Sequence, residues 1–347
     1  MTAGITKLAR HVGASAMLSL LPFAAAFAQD LTGAGATFPD PIYKKWIADY
    51  NAKTHIQINY QAIGSGGGIK QLTEQTVDFG ASDAPMTDDE QSKLKAPVFH
   101  IPMVMGSVVV TYNLPDVAKP LNLTGPVIAD IFMGKITKWN APQIAALNKG
   151  VALPNKDILV VHRTDGSGTT YIFSDFLSNV SPTWKSGPGT GKELKWPVGL
   201  GGKGNDGVTG QVKQTPGAIG YVELAYARQN KLPFAAIQNK QGEFVLPSIE
   251  STTAAGAGVA SSLPATTDFR ISLVNAPGKG AYPISSMTFI LLYQTQLDAA
   301  KGKKLVDFLK WALHDGQANA ASLDYAPLPK NVVTLLDKRL ASVKLGM

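Results

Sequence analysis

An α/β fold arranged in two lobes is predicted by three observations. Strands and amphipathic helices alternate along most of the chain, the pattern of sheets covered by helices. The sequence has 347 residues, more than one hydrophobic core ordinarily organises. Glycine and proline number 34 and 22, so the elements are joined by many tight, backbone-lined turns. Apolar residues at 45% and charged residues at 16% exclude a disordered chain.

The first residues read as an export leader. Lys7 and Arg10 supply a positive start, Val12 to Phe27 is an uncharged, alanine-rich apolar run, and Ala26-Phe27-Ala28 places small residues at the cleavage positions. Residues 1–28 are thus the expected leader, with the mature chain starting near Gln29. The alternative is a retained anchor, for which the run is short of the ~20 residues a span requires. No later apolar stretch is long enough to cross a bilayer, so the mature protein is expected to be soluble.

The elements follow in order. Asp40 to Tyr50 is predicted helical, with Ile42, Trp46 and Tyr50 spaced by four, and Ile56 to Tyr60 alternates like a strand. Gly68 to Thr76 is a second helix and Val77 to Ala81 a short strand. Met103 to Tyr112 is a long apolar strand, Ile158 to Val161 a buried one, and Thr169 to Leu177 a helix with Ile172, Phe173, Phe176 and Leu177 on one face. From there to Gly191 the glycine, proline and tryptophan content suggests loops. Ser251 to Thr267 is either a linker or a partly helical surface segment capped by Ser248, with Glu250 in its first turn. Met287 to Tyr293 is another apolar strand, and Lys301 to Ala312 forms a terminal amphipathic helix. The sequence contains no internal repeat.

Cysteine is absent, which excludes disulfides, thiolate metal sites, cysteine nucleophiles and a lipid anchor on a thiol. The formal charge is +7, of which Lys7 and Arg10 contribute two, leaving +5 on the mature chain. That surplus can steer anions. No dense Lys/Arg run with interleaved aromatics points to nucleic acid; Lys301, Lys303 and Lys304 read as a solvated helix start.

Three turns share one design: a glycine-rich or hydroxyl-bearing turn follows an apolar segment and opens a helix. They are Gly33 to Pro39, Gly64 to Gly68 and Arg163 to Thr169. Helix starts present N–H groups without intrahelical partners and the positive end of the dipole. Hydroxyls add donors, and glycine lets an anion reach the backbone. One such turn is an ordinary cap; three in one chain, one with an arginine, point to a small oxyanion. Asp83, just past an apolar strand, stands where open sheets place ligand groups, or is an ordinary turn aspartate.

These segments, with Val77 to Pro85, Trp196 to Gly207, Pro216 to Glu223 and Leu323-Asp324-Tyr325-Ala326, resemble the phosphate-binding proteins of bacterial phosphate ABC transporters. The motifs occur in the family's order from about Leu31 to Ala326. The resemblance implies a two-lobed periplasmic binding protein, each lobe a mixed sheet flanked by helices, with the ligand in the interlobe cleft. It implies discontinuous lobes, residues 29–106 with 284–347 and residues 107–283, crossed by the strands Met103 to Tyr112 and Met287 to Tyr293. It implies that Thr37 and the Phe38 N–H, Ser65, Ser167, Gly168 and Thr169 donate to phosphate, that Asp83 accepts the phosphate proton, and that Arg163, held by Asp165, pairs with the anion. The implied partners are inorganic phosphate and an inner-membrane ABC permease, for a monomer with no cofactor, no metal and no catalysis. Gly66 stands where relatives often carry a second serine, with little effect expected.

Other readings are weaker. Gly202-x-Gly204-x-x-Gly207 matches a dinucleotide fingerprint, but Trp196 to Gly201 is a poor strand. His55, His100, His162 and His314 lack metal-ligand spacing. A hydrolase using His162 and Ser167 lacks a nucleophile elbow. A receptor for sulfate or molybdate is the nearer rival. An ionised Asp83 only accepts hydrogen bonds, so it suits protonated phosphate and opposes bare sulfate.

Overall fold

The computed structural model describes residues 1–2, 30–260, 263–264 and 266–346. The expected leader and Gln29 lie outside them, apart from Met1 and Thr2. Among the described residues, no helix is long and apolar enough to cross a membrane.

Eight strands form the main sheet: β1 (Leu31–Gly35), β2 (Ile58–Ala62), β3 (Phe79–Ser82), β4 (Val98–Tyr112), β5 (Leu159–Arg163), β6 (Leu200–Gly202), β7 (Ala218–Glu223) and β8 (Ser285–Tyr293). Their spatial order is β2-β1-β3-β8-β4-β7-β5-β6. The first three are mutually parallel, as are β7, β5 and β6. Each trio is one βαβαβ unit whose first strand lies between the other two. The fold thus repeats a topology that the sequence does not repeat. Buried strands demand only apolar, β-forming residues, and many sequences satisfy that demand.

β4 joins the two units. Its first part, Val98 to Ser107, pairs antiparallel with β8, and Val108 to Tyr112 pairs with β7. At roughly 3.3 Å per residue its 15 residues reach about 50 Å. It is buried on both faces, which is why it reads as a continuous apolar run. The β4–β8 register slips by one between the pairs Thr288–Val104 and Phe289–Pro102. Pro102 offers no N–H to the ladder, and the extra residue, Met103, makes a bulge.

The principal helices are α1 (Asp40–Thr54), α2 (Ser65–Thr73), α3 (Asp88–Ser92), α4 (Gly168–Val180), α5 (Gly204–Gln214), α6 (Ile249–Ala260), α7 (Ala299–Leu313) and α8 (Lys330–Ala341). Several differ from the sequence reading. A short helix, Pro182–Ser186, interrupts the expected loop, with Ser181 accepting from the Trp184 N–H at its start. α6 is capped by Ser248, whose Oγ accepts from the Ser251 N–H. It is neither a linker nor a surface segment, because Ser251, Thr252, Ala255 and Gly256 are buried. α7 is not terminal, since α8 follows. Lys301, Lys303 and Lys304 do lie at its start, ion-paired with Asp78, Asp307 and Asp30.

Candidate functional site

In each unit the strands' C-terminal ends point the same way. Gly35 of β1 is level with Ala62 of β2 and Ala81 of β3, and Arg163 of β5 with Gly202 of β6. The turns that leave these ends carry Thr37 and Phe38, Ser65, Asp83, Arg163 and Asn205. The two sets of turns meet each other: the Gly66 N–H donates to Gly166 O at 2.8 Å. The crevice beyond the carboxyl ends of parallel strands is where such sheets hold ligands.

Arg163 ends β5 with its side chain 1% exposed. Its Nε donates to Asp165 Oδ1 at 2.8 Å and its Nη2 donates to Asp165 Oδ2. The Gly204 N–H, at the start of α5, donates to Asp165 Oδ1 at 3.0 Å. Burial acts to raise the Asp165 carboxyl, and the Arg163 guanidinium outweighs it, so its pKa is lowered. The fork is thereby fixed. Arg163 Nη1 is left buried with no partner among the described residues. An unmatched cationic donor in the interior calls for an anion.

Ser65, Asp83 and Gly168 form a second knot. Ser65 Oγ accepts from the Asp83 N–H at 3.2 Å and from the Gly168 N–H at 3.1 Å. A Cβ on Gly168 would lie 2.5 Å from Ser65 Oγ and 2.7 Å from Asp83 Oδ2, so only glycine lets the second unit approach this closely. Thr288 Oγ1 donates to Asp83 Oδ1 at 2.8 Å. Burial pushes the Asp83 pKa up to about 7, against the Thr288 hydroxyl, the Arg163 charge and Ser65, which lower it. Ser167, fully buried, caps α4 by accepting from the Thr170 N–H at 3.0 Å.

Thr37 and Phe38 are set by long-range bonds. Tyr226 Oη donates to Thr37 O and Tyr325 Oη to Phe38 O, both at 2.6 Å. Asn205 Nδ2 donates to Thr37 Oγ1 at 2.7 Å and to Thr169 Oγ1 at 3.2 Å. The Phe38 N–H meets no protein acceptor among the described residues. The arrangement therefore offers hydroxyls, backbone N–H groups and one guanidinium edge, with one carboxyl. Asp165 offsets the Arg163 charge, so oriented dipoles and hydrogen bonds, rather than excess charge, are left to hold an anion.

Every site residue expected from the sequence lies in or directly against this cluster. The glycine fingerprint requires a correction: Leu200–Gly202 does form a strand, a short edge strand beside β5, despite its glycines. α5 starts immediately after it, as in dinucleotide sites, yet its first N–H groups meet Asp165 and Thr37. His162 stacks on Trp196 with ring centroids 4.9 Å apart, and its Nδ1 lies 3.1 Å from Arg163 O. It makes no bond to Ser167. Sequence reasoning assigned no role to Thr288, Asn205, Tyr226 or Tyr325. Asn205 and Tyr325 lie in motifs already singled out, whereas Thr288 and Tyr226 carry no local signal.

Fold and site together define a class: a two-lobed α/β receptor with a buried, polar cleft shaped for a small oxyanion. The comparisons agree and narrow it. A model described as the PBP superfamily domain matches residues 22–315. The phosphate-binding protein PstS of Xylella fastidiosa (strain Temecula1) is 48% identical over 313 residues, 90% of this chain and 85% of that protein. That of Haemophilus influenzae is 46% identical, covering 92% and 94%. The chain belongs to the PstS family of phosphate-binding proteins within the PBP superfamily. Among solved structures, a phosphate-binding protein from Stenotrophomonas maltophilia has a TM-score of 0.71 at 20% identity, covering 90% of this chain and 94% of that one. An ABC-type phosphate transport receptor from Vibrio cholerae has a TM-score of 0.55 at 18% identity, covering 86% and 100%.

Proposed function

We propose that this chain captures inorganic phosphate outside the inner membrane and delivers it to an ABC transporter for import. The observation that carries the reading is Arg163 Nη1, buried and without a partner among the described residues, beside a set of protein donors. Thr37, Ser65, Ser167 and Thr169 supply hydroxyls and Phe38 a backbone N–H, while the Gly168 N–H, 3.1 Å from Ser65 Oγ, would be shared between that hydroxyl and the anion. Asp83 accepts the phosphate proton, and Asp165 holds the guanidinium. Membership of the PstS family supports the same ligand and the transporter as partner.

In this reading the lobes comprise residues 29–106 with 284–347 and residues 107–283, and they close because only closure unites both sets of donors. The chain works as a monomer in the periplasm, released from a leader cut after about Ala28, and binds without turnover. Calorimetric titration of the mature protein with phosphate, sulfate and a phosphoester tests this. One phosphate per chain is expected, with no heat from sulfate at pH 8 and no phosphate liberated from the ester. Sustained hydrolysis, or sulfate bound as tightly as phosphate at pH 8, overturns it.

A further inference from the structure

We infer that Asn205 is a positioning residue that turns the hydroxyl protons of Thr37 and Thr169 toward the bound anion. The inference deepens the phosphate reading and rests on it.

The amide's orientation follows from its neighbours. The backbone N–H of Glu223, at the end of β7, lies 2.9 Å from Asn205 Oδ1. A backbone N–H can only donate, so the atom it meets is the carbonyl oxygen, and Nδ2 is directed to the other side. There Nδ2 has two protons and two hydroxyl oxygens within reach, Thr37 Oγ1 at 2.7 Å and Thr169 Oγ1 at 3.2 Å. The Asn205 N–H adds a third donor, 3.3 Å from Thr37 Oγ1. An amide nitrogen accepts nothing. Both hydroxyls therefore receive from Asn205 and must place their own protons elsewhere.

No acceptor for either hydroxyl proton is found among the described protein residues. Thr169 is fully buried and Thr37 nearly so, and a buried O–H donor without an acceptor is costly. The place where both can be satisfied is the cleft, where Arg163 Nη1 also lacks a partner. A hydroxyl is a rotor: it suits donors and acceptors alike, and on its own it does not distinguish a bare oxygen from a protonated one. Asn205 fills both acceptor lone pairs of Thr37 Oγ1 and one of Thr169 Oγ1, so Thr37 is left with only its proton to offer and the Thr169 proton is turned away from the amide. Asp83, the one carboxyl at the anion's edge that is not tied to Arg163, is then the strongest acceptor offered to a proton of the ligand. Asn205, which is fully buried, also spans the cleft, since Thr37 leaves β1 of the first unit while Thr169 and Glu223 belong to the second. Its three bonds form together only when the units are closed.

The test is a mutant cycle on the mature protein, read by phosphate titration, with ligand-free thermal unfolding as the check on folding. Asn205→Ala is expected to weaken phosphate binding on the order of 10²-fold, the loss of alignment at two bonds to a charged ligand. In a Thr37→Val/Thr169→Val background the same change should cost less than about 3-fold, because no hydroxyl remains to be aligned. An equal loss in both backgrounds means that Asn205 acts through the fold, and overturns the inference. Asn205→Asp, nearly isosteric, should be worse than Asn205→Ala, since a carboxylate captures the two protons; a milder effect than alanine argues for shape alone and overturns it. If the Asn205 variants do not fold, the parent decides: both side-chain amide protons should be protected from solvent exchange in the phosphate-bound protein, and rapid exchange of both removes the proposed bonds. If the parent takes up sulfate in place of phosphate, the phosphate reading fails while the same cycle, run with sulfate, still decides the role of Asn205. A parent that binds neither ends both.

Discussion

Gly64 and Asp165 face each other across the cleft so closely that a Cβ on Gly64 would fall 2.3 Å from Asp165 Oδ2. The contact joins the turn that opens α2 to the carboxylate that holds Arg163. Gly64 also has φ +94°, a conformation that a residue with a Cβ rarely adopts. The close approach of the two units here thus depends on an absent methyl group.

Gly64→Ala should keep the fold of each unit but hold the cleft ajar. A stability loss of about 1–3 kcal/mol is expected from the backbone conformation, and a loss of affinity for phosphate of at least ~10²-fold from the blocked closure. Small-angle X-ray scattering should show the parent contracting on phosphate addition and the variant unchanged. Gly66→Ser is the contrast: its Cβ would meet Gly166 Cα at 3.1 Å, a gap that a few tenths of an ångström relieves. Its affinity should stay within about 5-fold of the parent, roughly 1 kcal/mol. A variant that binds tightly with alanine at 64, or fails with serine at 66, contradicts this account of closure.

Arg163→Ala should cost on the order of 2–5 kcal/mol of phosphate binding, because the change removes a desolvated charge and strands Asp165. The ligand-free variant should keep its fold but unfold at a lower temperature than the parent, since the largely buried Asp165 loses its counter-charge. Titration of a folded variant with unchanged affinity would remove Arg163 from the site.

Lys192 and Glu90 tie the two units at the cleft's mouth. Lys192 Nζ lies 2.6 Å from Glu90 Oε1, with the side chains 15% and 23% exposed. The Lys192 carbonyl also accepts from the Ser167 N–H at 2.9 Å, so the pair is continuous with the third turn. Glu90 in turn accepts from the Thr87 N–H while Thr87 caps α3. Lys192→Met should weaken phosphate binding by about 1 kcal/mol, mainly through faster dissociation, and should lessen the dependence of affinity on salt. Stopped-flow release measured at low and high ionic strength checks both; an unaltered dissociation rate at low salt rejects the latch.

The parts of the site that are contiguous in the chain were legible in the sequence. Arg163, Asp165, Ser167, Gly168 and Thr169 lie within seven residues, so one turn marks them as an anion-competent group, while their individual roles were implied by the family resemblance. The pairing of turns across the cleft was not legible. Nothing local to Thr288 announces that it donates to Asp83: it reaches that carboxylate because Phe289 pairs with Ser82 on β3, next to the slip in the β4 ladder. Asn205 likewise looks like a helix-start residue until β6 brings it beside Thr37. Among the helices, amphipathic periodicity marked α1 and α4, whereas α6 was signalled only by its Ser248 cap, and its burial was hidden because Ala, Gly, Ser and Thr carry little apolar contrast. Its small residues instead permit close packing, as at Gly256 against the Met105 sulfur.

Asp83 should make the discrimination between phosphate and sulfate depend on pH. Burial pushes its pKa up to about 7, so the group changes from a neutral acid to a carboxylate within the physiological range. As a carboxylate it only accepts, which suits a phosphate that keeps a proton and opposes sulfate, which has none. As a neutral acid it can donate to a bare sulfate oxygen. Sulfate should therefore compete with phosphate near pH 5 and cease to compete near pH 8.5. In Asp83→Asn the amide does not titrate and can either accept from phosphate or donate to sulfate. Its preference for phosphate should be weaker than the parent's at pH 8.5 and nearly flat between these limits. The same shift has a signature in stability. Between about pH 4 and 7 the folded protein holds a proton on Asp83 that the unfolded chain has released. Ligand-free protein thus loses stability from this group as pH rises, by up to about 1.4 kcal/mol per unit. His100, buried and lowered to about 4, contributes in the opposite sense over about pH 4 to 6.5, so the Asp83 effect is read as the difference between the parent and Asp83→Asn rather than from the parent alone. Competition titrations and denaturant unfolding of the two proteins at pH 5, 7 and 8.5 provide both readouts. A parent that excludes sulfate equally at all three pH values shows that Asp83 is not the group that tells the two anions apart.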